Sequence, residues 1–222
     1  GGVLATQLPE GPFPFPRAVF DPRQARMAFS NRGVRLASFG YFGHMWELYA
    51  MWAWFSAFCY AVLAERGWSD PSRAAALMTF AVIAAGAFGC VLFGVFADRW
   101  QRPHVISASL ATSGMCALTI GFLFDAPLPL ILAVGILWGF AVVADSAQFS
   151  ALVTEHADQR FVGTALTLQL AVGYALTVTT IWLIPFARDL VGWQWAFMLL
   201  GLGPALGIAA MLRLAASSAR MR

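Results

Sequence analysis

The chain has 222 residues, 60% of them hydrophobic and only 11% charged, with a mean hydropathy of +0.71. A soluble domain carries about 25% charged residues, so this composition, with nine Trp and nineteen Phe, excludes a water-facing globule. The formal charge of +3 rests on fourteen Arg and no Lys. Without an aromatic-interleaved basic patch it fits an anionic leaflet rather than nucleic acid.

Residues 1–33 differ from the rest. Pro9 to Pro16 is too proline-rich for helix or sheet. Phe20 to Phe29, with Arg23 and Arg26, reads as an amphipathic stretch at a headgroup surface or as a solvated linker. Six apolar runs follow, at about 34–64, 74–97, 104–124, 128–153, 161–187 and 193–212, with a tail at 215–222. Each approaches or exceeds the ~20 residues that cross a bilayer. The fold expected is an all-α membrane protein whose transmembrane domain occupies 34–214.

Arginine sets the expected orientation. Arg17, Arg23, Arg26, Arg32, Arg35, Arg99, Arg102, Arg160, Arg213, Arg220 and Arg222 fall on the side of both termini; Arg66, Arg73 and Arg188 fall on the other. By the positive-inside rule the termini are cytoplasmic, in an inner (plasma) membrane. Cys59, Cys90 and Cys116 lie inside apolar runs and read as small buried hydrophobes, not as disulfides or metal ligands.

Ionisable groups inside a span are costly, about 2.5–3.5 kcal/mol each on insertion scales, and need a cavity or a partner. Glu47 falls near the middle of the first span, and Asp145 lies deep in the fourth. His44, Glu47, Met51 and Trp54 share one helical stripe; Trp138, Asp145 and Gln148 share another. From these stripes His44, Glu47, Trp54, Trp138, Asp145 and Gln148, with Gln169 of the fifth span, form the candidate solute and proton cavity. The alternative is that His44 and Glu47 pair with each other within one turn. Spans one to three and four to six would have opposite topology, so the expectation includes two inverted three-helix repeats led by the polar helices.

Gly94-Val-Phe-Ala-Asp-Arg-Trp-Gln-Arg-Pro103 joins spans two and three. It resembles the loop signature of the major facilitator superfamily at Gly94, Ala97, Asp98, Arg99 and Arg102, and departs from it at Phe96, Gln101 and Pro103. The stretch Gly40 to Trp54 is similar to the seventh helix of bacterial members, and the Pro-rich entry resembles the connector between their halves. The resemblance implies one six-helix half of that fold, either a half-size protein working as a homodimer or a piece requiring a second half. It implies a cavity lined by the first and fourth helices, and a gating contact made by Asp98. The function expected is secondary active transport of a small polar solute, with sugar and proton coupling among its candidate forms. A non-transporting sensor or subunit is the alternative.

An enzyme is not expected. An intramembrane serine protease needs Gly-x-Ser-Gly and a later helical His; Ala111-Thr-Ser-Gly114 lacks the first Gly, and His156 reads as loop. His44-x-x-Glu47 has no further ligands nearby, so neither metal nor cofactor is expected.

Overall fold

The computed structural model describes Met27 and residues 29–219. The Pro-rich segment, most of the amphipathic stretch and residues 220–222 of the tail lie outside the described residues. Among the described residues there is no strand, and six helical passages are long and apolar enough to cross a membrane. The chain is a multi-pass membrane protein built as a six-helix bundle.

The first passage is α1, Arg32–Glu65, opened by Asn31, whose side chain accepts from the backbone N–H of Gly33 and Val34. The second is α2, Pro71–Arg99, with Asp70 accepting from the N–H of Arg73 and Pro71 at a position where its missing N–H costs nothing. Next comes α3, Arg102–Thr119, prolonged by a 3₁₀ turn, Ile120–Leu123. Pro103 sits in the first turn of α3, where proline is tolerated.

The fourth passage is broken. It consists of α4, Leu128–Val142, and α5, Ser146–His156, separated by a turn at 143–145. The expectation of one continuous helix is corrected here. Across the break, Ala144 and Ser146 bond three residues back, to the carbonyls of Ala141 and Val143. Lipid cannot satisfy freed carbonyls, and neighbouring helices supply donors. Ser109 Oγ donates to Ala141 O at 2.7 Å, and Cys90 Sγ donates to Val143 O at 3.5 Å. Cys90 is therefore exposed and bonded rather than a buried hydrophobe.

The fifth passage is α6, Val162–Val191, ending at Gly192 with φ +77, a left-handed conformation that favours glycine. The sixth is α7, Trp193–Ala196, a 3₁₀ turn at Phe197–Gly201, and α8, Leu202–Ala219.

The α1 and α8 backbones pack closely: a side chain at Gly43 would run into the backbone of Gly203, and one at Gly203 would meet the backbone of Gly43. Small residues let two membrane backbones approach closely. The apolar core forms two clusters. One is built around Phe55, Phe58, Trp138 and Phe197, the other around Val34, Tyr41, Phe149 and Met211. His44 and Glu47 lie where the two clusters adjoin along α1. Apolar side chains of α2 and α6 point outward, Phe88 at 74% and Trp182 at 76% exposure, as lipid-facing residues do.

Candidate functional site

Glu47 is the sixteenth residue of the 34 in α1 and is 1% exposed. Trp138 Nε1 donates to its Oε1 at 2.6 Å, and Ser113 Oγ donates to its Oε2 at 2.9 Å. Glu47 thus gathers α3 and α4 onto α1. Both partners are neutral, and among the described residues no cation pairs with it. An indole only donates, so Oε1 remains an acceptor; a serine hydroxyl can donate or accept. The contact with Ser113 therefore survives a proton arriving on Oε2, by reversing its direction.

One turn earlier on the same face, His44 makes a second junction. Its Nδ1 lies 3.0 Å from Asp145 Oδ1, and its Nε2 lies 2.9 Å from Ser146 Oγ. His44 and Asp145 are each 1% exposed. The break between α4 and α5 places Asp145 and Ser146 at the imidazole. Among the described residues neither Asp145 oxygen accepts an aligned hydrogen bond, so its contact with His44 is a close approach rather than an aligned bond. The Ser146 hydroxyl can accept from an imidazolium or donate to a neutral ring, as Ser113 can at Glu47. His44 and Glu47 do not pair with each other; each bonds across to the fourth passage.

The other expected site residues are placed differently. Gln148 is buried but held by the Arg102 guanidinium, which also reaches Glu155 at 2.9 Å and Asp98 at 3.5 Å. This ties Gln148 to the segment joining α2 and α3. Trp54 lies toward the opposite end, where its Nε1 donates to Ile181 O at 2.8 Å. Pro185 within α6 has no N–H to give the carbonyl four residues back, which is that of Ile181, and Trp54 supplies it. Gln169 is fully buried with neither amide atom partnered among the described residues. It sits one turn before Gly173, where a side chain would collide with Tyr41 of α1. Arg99 is exposed, and a side chain at Gly94 would meet open space.

None of the seven expected cavity residues lines any of four surface cavities of about 260 to 680 Å³ among the described residues. They form a packed interior network, or pin helices together, instead of facing an open chamber. Ser113 and Ser146 are essential to that network, and sequence reasoning did not select them. Their signal was a hydroxyl inside an apolar span, which most often bonds its own helix. Also missed was the pair Tyr49 and Tyr174, whose hydroxyls meet at 3.3 Å across α1 and α6 with Trp52 against Tyr49. Tyr174 is 49% exposed at mid-span depth, where a hydroxyl facing lipid would be poorly satisfied. Among the described residues, no group of three His, Cys, Asp or Glu is placed to hold a metal ion.

No family model matches the chain. It is similar to the 3-(3-hydroxy-phenyl)propionate transporter of Escherichia coli (strain K12), 28% identical over 128 residues. That match takes in 56% of this chain and 30% of the transporter's own length.

Proposed function

We propose that this six-helix bundle is the translocating part of a proton-coupled secondary active transporter of the major facilitator type. The observation that carries the reading is the buried acid network. Glu47 sits mid-span among neutral donors, next to a His44–Asp145 pair, and both junctions contain hydroxyls able to reverse as a proton arrives. A purely structural contact has no need of a carboxylate that lacks a cation in an apolar core, since burying an unpaired charge is costly. Similarity to a transporter supports the same reading. Glu47 is the proton carrier, and His44 with Asp145 is a second buried polar junction beside it.

The solute is a small polar organic molecule that meets the bundle at Tyr49, Trp52 and Tyr174. Two classes compete. A sugar would use the hydroxyls and the aromatic faces. An aromatic carboxylate, suggested by the name of the relative, would stack on the same rings. Alternating access needs two bundles moving about a shared site, so the bundle works against a second one, a homodimer partner being the simplest case. Asp98 and Arg99 contact that partner at the cytoplasmic face.

The test is uptake into proteoliposomes of a panel of labelled sugars and aromatic acids, with and without an inward proton gradient. Gradient-dependent uptake of either class supports transport and selects the solute. Absence of uptake by a correctly folded, crosslinked dimer would leave the sensor or subunit reading standing.

A further inference from the structure

Two cavities meet at one residue, Arg213 of α8. The first, about 680 Å³, lies at the end of the bundle where α1 begins, and is lined by Asn31, Arg32, His156, Arg213 and Ser217. The second, about 630 Å³, is an apolar groove on the bundle's side, lined by Phe39, Phe42, Trp46, Leu202, Leu206 and Arg213. Among the described residues neither Arg32 nor Arg213 has an acidic partner. Both belong to exposed positions, so both guanidinium groups are free to meet an anion.

The dimensions of the groove identify its occupant. It spans Leu36 to Trp46 on α1, ten residues at ~1.5 Å each, or about 15 Å. On α8 it spans Leu202 to Arg213, a similar length. The hydrocarbon core is about 30 Å thick, so the groove has the depth of one leaflet, beginning at a cationic rim and ending at mid-membrane. A transmembrane helix of a partner would need the full depth. An acyl chain needs half, and brings a phosphate to the rim.

We propose that α1 and α8 hold one anionic phospholipid, its headgroup phosphate between Arg32 and Arg213 and an acyl chain along Phe39, Phe42, Trp46 and Leu206. Guanidinium groups suit this task because they present paired donors to phosphate oxygens. The Asn31 side chain is already used in capping α1 and in donating to His156 O, which fixes the rim between the two arginines. Basic pockets between helices on the cytoplasmic side are suited to anionic headgroups, in keeping with the orientation proposed above. The site needs no second bundle.

Native mass spectrometry of the full chain, released from mixed micelles with phosphatidylglycerol or phosphatidylcholine of the same acyl chains, tests the assignment. The expected result is one retained phosphatidylglycerol, at least tenfold preferred over phosphatidylcholine. The R32Q/R213Q double variant should lose that preference, with helicity by circular dichroism unchanged. Ala209 is exposed on the groove wall, and Ala209→Trp should evict the chain while leaving both arginines in place. Equal retention of the two lipids, or unchanged preference in the double variant, would overturn the headgroup site. Unchanged binding in A209W would overturn the groove. Competition by free glycerol phosphate at the concentration of the lipid would show a phosphate site without a lipid.

Discussion

Trp138 and Glu47 are joined at 2.6 Å across α1 and α4, indole nitrogen to carboxylate oxygen, both side chains at most 1% exposed. Trp138→Phe preserves most of the apolar packing and removes the donor. An acceptor left unpaired in a buried site costs about 1–3 kcal/mol. The thermal melting of W138F in detergent should therefore fall, and fall by less in an E47Q background, because contacting residues couple. Equal losses in the two backgrounds would show that the contact carries no energy of its own.

A second coupled pair lies toward the other end. Trp54→Phe leaves the Ile181 carbonyl without the donor that Pro185 cannot give, and should cost a similar ~1–3 kcal/mol. Pro185→Ala restores the backbone N–H, so W54F/P185A should recover much of the lost melting temperature. Failure of the rescue would mean that Trp54 acts through its packing beneath Arg188, whose guanidinium lies 5.8 Å from the ring.

Glycines separate into two kinds. Gly43→Val sets a branched side chain against the Gly203 backbone and should abolish monodisperse behaviour in size-exclusion chromatography. Gly94→Ala meets nothing within 4 Å in this bundle and should leave it monodisperse. Gly94→Trp should also spare the fold while blocking the approach of the second bundle proposed above, read as lost disulfide or chemical crosslinking.

Asp158 and Arg160 provide a control. They pair at 2.7 Å in the loop before α6, and the guanidinium holds the Asp158 carboxyl down at about 2. A depressed carboxyl contributes above its unfolded value of ~3.9 and loses that contribution only as pH falls toward 2. Both groups are in water, where such pairs contribute little. Asp158→Asn should leave the melting temperature unchanged between pH 5 and 8, so a pH-dependent change there in the wild-type protein must come from other groups.

The helices were legible because each span is a predominantly apolar run flanked by Arg, Asp, Pro or Gly, and those features act locally. His44, Glu47, Trp138 and Asp145 were also legible, since polarity inside a span has few explanations. Their partners were not. Which hydroxyl meets Glu47 depends on how α3 rotates against α1, and Ser113 carries no mark that Ser109 lacks, although Ser109 caps a carbonyl instead. The break at Asp145 escaped for a related reason. No Gly or Pro marks it, and the donors that make it tolerable come from α2 and α3. Gln148 shares a stripe with Asp145, but the break and Arg102 draw it to the segment joining α2 and α3. Pro185 did carry a readable signal, because a proline in a membrane helix implies a carbonyl in need of a donor.

The central claim is that Glu47 carries the coupled proton, and Glu47→Gln tests it most directly. Gln keeps the shape and an oxygen for Trp138 but cannot gain or lose a proton. Proteoliposomes holding E47Q should show no uptake driven by an inward proton gradient, at least a tenfold loss, while exchange of solute across the membrane without a gradient persists. Gradient-driven uptake equal to that of the unaltered protein would contradict the assignment.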